Sequence, residues 1–350
     1  LCWAAYRDVL SLHVSVSFLG ARVPNLAPEA KFEYLLMHGF YLIVFIWTYI
    51  FVSHRRVLSR FIWFILFVVT AQAAVGIIAS RLELHLVPIE QLDGHWFFAR
   101  GTFVNRNHYA AMLGIGVSLC IASFIARSLT NAHRGESTLE ERQSPAILRN
   151  TYFMLTEGTV LCGCLGVLLI GILLSESRGG LIAPVLTLVL LWCYLFRGAR
   201  ATQLVSWISA LIIAVFLVAF ALGETDSLVN RFASIYEDGG WLFVWRAVAP
   251  IAIDNWFWGV GVGAFIANFE LYRTAEFMQW QLPHAHSQYL HLMIEQGIPG
   301  LLLWMLPIIL VLRKALSKVT TAKSMYVRKM CLMCATVIIT LSVHSIWEVH

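Results

Sequence analysis

Four short polar segments interrupt an otherwise apolar chain, and each of them carries arginine or histidine. They are Arg100–His108, Ser175–Gly180, Trp245–Arg246 and His284–Ser287. An arginine guanidinium binds phosphate oxygens through two parallel hydrogen bonds. A histidine side chain titrates close to neutral pH and can therefore accept a proton there. If these segments meet in the fold, the sequence predicts an anion site beside a proton acceptor.

Each polar segment also has a purely structural interpretation. Arg178 is suited to anchoring a short turn at the lipid headgroups, and Trp245–Arg246 has the composition of an interfacial anchor. Asn105 and Asn107 are residue types that cap the start of a helix. His286 could be a structural histidine with its hydrogen bonds satisfied. The sequence alone leaves these interpretations open beside the functional one.

The apolar background indicates a membrane protein. Of the 350 residues, 59% are hydrophobic and only 13% are charged, whereas soluble domains carry about 25% charged residues. A bilayer core is crossed by roughly 20 apolar residues in a helix. We therefore predict an all-α, polytopic transmembrane helix bundle that forms a single membrane domain over residues 1–350. The eight apolar runs are 34–52, 61–80, 107–126, 152–174, 180–196, 204–222, 287–312 and 330–348.

The basic residues between these runs predict an orientation. Clusters of Arg and Lys follow the first, third, fifth and seventh spans, so they all fall on one side of the bilayer. The positive-inside rule makes that side cytoplasmic. The four polar segments then fall on the opposite side, together with a long loop over residues 223–286. Its five tryptophans predict helices that lie at the interface. Because the chain begins without Met, we expect further spans to precede Leu1.

Several classes of chemistry lack their motifs. The sequence has no Walker P-loop, no zincin motif, no Ser nucleophile elbow and no Asp-x-Asp metal pair. Gly259–Ala264 matches the loose G-x-G-x-x-A nucleotide pattern, but no strand–helix–strand unit surrounds it, so we interpret it as a backbone turn. Cys331-x-x-Cys334 has no second pair nearby, and we interpret the cysteines as small lipid-buried residues. In a membrane protein the net charge of +5 does not indicate nucleic-acid binding.

Several segments together resemble a known family. His286–Ser287 is followed after nine residues by Gly297–Gly300, which resembles the signature of the O-antigen ligase and polymerase superfamily. Gly101–Ala110 and Ser177–Gly180 are also similar to members of that family. Asn255–Phe265 resembles its Pro-x-x-Gly-x-Gly-x-x-x-Phe segment, with an aromatic residue where Pro is common. The resemblance covers the chain from about residue 100 to its end.

The resemblance implies a metal-independent, inverting glycosyltransferase of the membrane-embedded helical class that needs no cofactor. Its donor would be a glycan on undecaprenyl diphosphate at the periplasmic face of the bacterial inner membrane. His286 would be the general base, and Arg178 and Arg246 would hold the diphosphate. Arg106 and Arg100 are weaker candidates for the same anionic region. The motif residues that support the match are Asn105, Asn107, His108, Gly297 and Gly300.

Other points stay open at the level of sequence. The acceptor could be lipid A core, a second lipid-linked glycan or a protein, which separates a ligase from a polymerase and from a protein glycosylation enzyme. A transporter or flippase for an anionic lipid-linked glycan is one alternative, and a non-catalytic scaffold of envelope assembly is another. The partners in each case are lipids and glycans, not nucleic acid. The enzymatic hypothesis requires Arg178, Arg246 and His286 to converge on one donor.

Overall fold

The structure, a computed structural model, describes residues 28–52, 54–84, 86, 98–134, 157–195, 241–278 and 282–349. These residues form helices joined by turns, and no strand occurs among them. In chain order the helices are α1 (Pro28–Phe51), α2 (Arg55–Arg81), α3 (Arg106–Arg134), α4 (Thr159–Leu174), α5 (Arg178–Leu195), α6 (Trp241–Asp254), α7 (Phe265–Tyr272), α8 (Gln288–Thr321) and α9 (Met325–His344). A short 3-10 helix, Ala275–Phe277, follows α7.

Five described helices are long and apolar enough to cross a bilayer: α2, the Arg106–Arg127 part of α3, α5, α8 and α9. Gly39–Phe51 and Thr159–Leu174 are shorter apolar helices. The predicted span 204–222 and residues 152–156 of the fourth span lie outside the described residues, and each of the other seven spans overlaps a described helix. The predicted class, a polytopic bundle of membrane helices, is confirmed.

Two predicted span boundaries were wrong. We predicted a last span from 330 to 348, but α9 ends at His344. The chain turns there because the N–H of Gln288 donates to the carbonyls of Ser345 (2.9 Å) and Glu348 (3.1 Å). The span 287–312 was predicted as continuous, whereas α8 runs to Thr321 and is interrupted at Gly297.

The chain divides into two compact units. The loop unit contains α1, the start of α2, α6, α7, the part of α8 up to Pro307 and the segment after α9. The bundle unit contains α2 from Ile62, α3, α4, α5, α8 from Ile308, and α9. This division does not test the prediction of a single membrane domain, which stays a prediction. The same holds for the periplasmic loop 223–286, of which the described part contains α6 and α7.

Close packing of small residues builds the bundle unit, in which α3 contacts α4, α5 and α9. A Cβ at Gly180 would lie 2.6 Å from the Cβ of Ala110, so α5 approaches α3 closely. The Thr340 hydroxyl lies 2.7 Å from that of Ser118 and 2.9 Å from that of Thr187, joining three helices. Small residues and bridging hydroxyls are the usual means of association inside a bilayer, where apolar burial gives no driving force.

The interruption of α8 organises the loop unit. Gly297 has φ +65° and ψ −173°, and Pro299 has no N–H, so the carbonyls of Ile294 and Glu295 lose their helical donors. The glycine-rich turn after α6 replaces them: Val260 donates to Ile294 (2.8 Å) and Gly261 to Glu295 (2.9 Å). The glycine-rich turn Gly259–Ala264 is thereby hydrogen-bonded to the turn of helix that precedes Gly297–Gly300, although the two are separate in the chain.

We predict that Gly297→Ala destabilises the protein by about 3 kcal/mol or more. The backbone conformation is essentially restricted to glycine, which costs another residue about 1–3 kcal/mol. In addition, a Cβ would lie 1.8 Å from the carbonyl oxygen of Phe257. The measurement is the unfolding temperature of the purified protein in detergent. Gly166→Ala is the matched control, since a Cβ there meets nothing within 4 Å. Equal unfolding temperatures for the two variants would contradict the prediction.

Candidate functional site

His286 occupies a fixed position in the loop unit immediately before α8. Its φ is +46°, in the left-handed region, and its carbonyl accepts a hydrogen bond from the indole N–H of Trp245 (3.2 Å). Ser287 caps α8, because its hydroxyl accepts from the N–H of Leu290 (3.4 Å) and its carbonyl from that of His291 (2.8 Å). A non-glycine residue held at positive φ by such contacts is a recurrent feature of functional sites.

A buried carboxylate faces the His286 ring. Glu348 is fully buried, and its Oε1 lies 3.7 Å from Nδ1 of His286 and 3.9 Å from Nε2 of His284. The two imidazole rings contact each other edge to face with centroids 4.3 Å apart. The backbone N–H of His286 donates to Nδ1 of His284 (3.4 Å). Sequence reasoning brought His284 and His286 forward but missed Glu348, whose signal was a single acid at the end of an apolar run.

Burial lowers the pKa of His286 below its ordinary value, and the Glu348 charge offsets only part of that effect. A histidine with a lowered pKa is neutral at pH 7 and has a free lone pair on one nitrogen. The ring can therefore accept a proton from a substrate hydroxyl. Two imidazoles and a carboxylate within 4.8 Å of one another are also donors that zinc accepts, so a cation is the competing interpretation of this cluster.

Arg246 lies on α6, the helix that also carries Trp245. Its guanidinium forms an ion pair with Glu276 in the 3-10 helix after α7, and both side chains are more than half exposed. The α6 helix is tied to the segment after α9 by stacking of Trp241 on Trp347, with ring centroids 5.3 Å apart and an interplanar angle of 18°. The arginine is thus on a fixed helix while its charged end is accessible.

The bundle unit brings the other polar segments together around the turn between α4 and α5. Arg178 is the first residue of α5, and the Ser177 hydroxyl caps that helix by accepting from the N–H of Gly180 (3.2 Å). The N–H of Ala99 donates to the carbonyl of Leu174 (2.9 Å), which holds the segment before α3 against this turn. Arg100 lies in that segment, and burial lowers the pKa of its guanidinium without removing its charge at neutral pH.

Arg106, the first residue of α3, points to the same turn. One of its nitrogens lies 3.9 Å from the carboxylate of Glu176, and its guanidinium covers the Phe98 ring at 3.9 Å. Asn105 is the cap of α3, as predicted, because its side-chain oxygen accepts from the N–H of Asn107 (2.8 Å). Asn107 itself belongs to the first turn of α3, followed by His108. The helix dipole places positive charge at a helix amino terminus, so an arginine there is repelled. A bound anion would offset this repulsion at Arg106 and at Arg178, which both begin helices.

The glycine-rich turn Gly259–Ala264 does not present a nucleotide site. The carboxylate of Glu295 accepts hydrogen bonds from the backbone N–H groups of Gly263 and Phe265 (3.3 Å for Phe265). That carboxylate is 3% exposed, so the protein's own side chain satisfies the backbone donors that a phosphate would use. His291, 3.7 Å from Glu295 and packed on Phe265, completes this internal network.

The described residues therefore define a polytopic helical membrane protein with two polar centres, one built on His286 and one on arginines at helix starts. The family model described as O-antigen ligase matches residues 163–305, and this match supports membership of the chain in the O-antigen ligase and polymerase superfamily. The matched part includes Arg178, Arg246 and His286, while Arg100, Arg106 and Glu348 lie outside it. No curated protein and no solved structure matches the chain.

We predict that Trp245→Phe lowers stability by about 0.5–1.5 kcal/mol, the usual net worth of one hydrogen bond. The substitution removes the N–H that holds the His286 carbonyl, and it also removes ring volume, which the control variant loses as well. The measurement is thermal unfolding in detergent. Trp258→Phe is the matched control, because Trp258 is an exposed tryptophan of the same unit. A larger loss in Trp258→Phe than in Trp245→Phe would refute the role of this hydrogen bond.

Proposed function

We propose that this protein transfers a glycan from undecaprenyl diphosphate to an acceptor hydroxyl at the periplasmic face of the inner membrane. The match to the O-antigen ligase family model over residues 163–305 supports glycan transfer of the O-antigen ligase or polymerase type in general. The donor, the face of the membrane and the residue roles are the proposed part. The observation that carries the proposal is the fixed, half-buried His286 with a lowered pKa in front of a buried carboxylate.

In the proposed reaction, His286 accepts the proton of the acceptor hydroxyl as the oxygen attacks the anomeric carbon. The new carbon–oxygen bond forms while the bond to the diphosphate oxygen breaks, and the lipid diphosphate leaves with the electron pair. Direct displacement inverts the anomeric centre. A hydroxyl is a weak nucleophile, so a positioned base contributes about 10²–10⁴-fold. The donor is already activated, and the reaction therefore requires no nucleotide.

Arg178 and Arg246 would stabilise the charge that develops on the leaving diphosphate. Fixed cationic donors aimed at a developing charge are among the largest contributions to catalysis. Arg246 forms an exposed ion pair with Glu276. Such pairs contribute about 1 kcal/mol or less, so Arg246 can exchange Glu276 for the diphosphate at little cost. Arg106 and Arg100 would add positive charge to the same region. The convergence of Arg178, Arg246 and His286 on one donor stays a prediction.

We expect His286→Ala to lower glycan transfer by about 10²–10⁴-fold, the worth of a general base. The assay uses purified protein in lipid vesicles with a defined lipid-diphosphate donor and three acceptors in parallel: lipid A core, a second lipid-linked glycan and a protein. The acceptor that is modified separates ligase, polymerase and protein glycosylation activities. His54→Ala is the control, because His54 is exposed and precedes α2. Full transfer by His286→Ala would refute the base role.

The same vesicles test the transporter alternative. Movement of labelled donor across the bilayer without any transfer product would favour a flippase and contradict the proposed function. A transporter that uses a site near mid-membrane is expected to have repeated or broken helices around that site. The only break among the described helices, at Gly297 of α8, is occupied by the glycine-rich turn.

We expect Arg178→Lys to lower kcat/KM by about tenfold or more while the protein remains folded. Lysine keeps the charge but cannot make the two parallel hydrogen bonds of a guanidinium to a diphosphate. The measurement is the rate of transfer against donor concentration. Arg56→Lys, an exposed position at the start of α2, should match wild type. Wild-type kinetics in Arg178→Lys would remove Arg178 from the donor site.

A further inference from the structure

Glu348 is buried in a way that requires an explanation. It is 0% exposed, and a buried carboxylate is costly unless hydrogen-bond donors or positive groups face it. Its Oε1 accepts from the N–H of Val349 (3.2 Å) and faces ring nitrogens of His286 and His284 at 3.7 and 3.9 Å. Among the described residues, the titratable groups that face His286 are Glu348 and His284.

The contacts fix where each neutral imidazole carries its proton. Nδ1 of His284 accepts from the N–H of His286, so the His284 proton is on Nε2, the atom that faces Glu348. The His286 atom that faces Glu348 is Nδ1. A carboxylate favours an N–H on the nitrogen that it faces. Both rings therefore direct an N–H to one oxygen, and the lone pair of His286 is left on Nε2.

We infer that Glu348 is a positioning residue that holds His286 as the Nδ1–H tautomer, so that Nε2 receives the proton of the acceptor hydroxyl. His284 is the second imidazole that faces the same carboxylate. The inference rests on the proposed function for the role of His286, but the tautomer is a property of the folded protein without substrate. The arrangement has the logic of a carboxylate behind a catalytic histidine, where the carboxylate orients the ring and stabilises its protonated form.

The segment that carries Glu348 is held firmly enough for this role. The carbonyls of Ser345 and Glu348 both accept from the N–H of Gln288, two residues after His286. Trp347 stacks on Trp241 of α6, the helix whose Trp245 binds the His286 carbonyl. The 3.7 Å separation exceeds hydrogen-bond length by less than 1 Å, and catalytic hydrogen bonds are often long before substrate binds.

The kinetic test compares pH profiles of kcat/KM for wild type, Glu348→Gln and Glu348→Asp in vesicles. Glutamine keeps the shape but removes the charge that raises the pKa of His286. The acid limb should therefore move to lower pH, and the plateau should fall about 10- to 100-fold because the tautomer is no longer enforced. Aspartate retains the charge and should recover part of the activity. Glu270→Gln, which breaks an ion pair with Arg273 in the same unit, should leave the profile unchanged.

The spectroscopic test needs no activity. In protein labelled with ¹⁵N-histidine, the wild-type His286 resonances, assigned by their loss in His286→Ala, should show the proton on Nδ1. Glu348→Gln should show it on Nε2. A wild-type Nε2–H tautomer, or a Glu348→Gln variant whose plateau falls with no movement of the acid limb, overturns the inference and leaves Glu348 a structural residue. An unchanged profile in Glu348→Gln overturns it as well.

The competing cation is tested in the same vesicles. If chelator treatment abolishes transfer and zinc restores it, the cluster binds a metal and the positioning role is overturned. If chelator changes nothing while Glu348→Gln shifts the profile, the positioning role is supported. Failure of the proposed function has a separate signature, full transfer by His286→Ala, so the two hypotheses can fail independently.

Discussion

The backbone hydrogen bonds that α8 gives up at Gly297 determine how the loop unit is built. A helix that crosses a bilayer must satisfy every N–H and C=O internally, and the pair Gly297 and Pro299 leaves two carbonyls without helical donors. The turn after α6 supplies them from Val260 and Gly261. In return, the N–H of Ile298 donates to the carbonyl of Trp256 (2.9 Å). One local irregularity in α8 thus holds α6, and with it Trp245, against the residues that precede α8, where His286 lies.

The fold was largely predictable from the sequence because membrane helices are specified by apolar length, which is a local property. The ends of helices were less predictable, since α9 ends where two carbonyls bind Gln288, a contact between residues distant in the chain. The same limit applies to the site. Caps such as Asn105 and arginines at helix starts follow from adjacent residues. Glu348 does not, because only the return of the chain after α9 brings its carboxylate to His286.

The glycine-rich turn shows why a motif must be interpreted through its partners. Gly259, Gly261 and Gly263 all have positive φ (69°, 104° and 74°), as a phosphate-binding loop also requires. Here the backbone N–H groups bind a carboxylate of the protein itself, that of Glu295. A Cβ at Gly259 would lie 2.4 Å from the Glu295 carbonyl, so the glycine permits close contact between two segments of the chain. The same residue type therefore performs a packing role at this position.

The charge states that the proposed glycan transfer needs follow from the type of ionisable group more than from exposure, since the His286 side chain is 30% exposed and that of Arg106 is 22% exposed. A general base must be neutral before it reacts, and burial lowers the pKa of His286. The Glu348 carboxylate, whose charge raises that pKa, can stabilise the imidazolium that forms afterwards. The cations that hold a diphosphate must stay charged, and arginine does so even when partly buried. Arg246 is exposed, and a guanidinium nitrogen of Arg106 lies 3.9 Å from the carboxylate of Glu176. Moving the histidine into water, or burying the arginines without an anion, would oppose the reaction at both centres. The combination of a histidine base and arginine cations is therefore a physical requirement of the chemistry proposed for this protein.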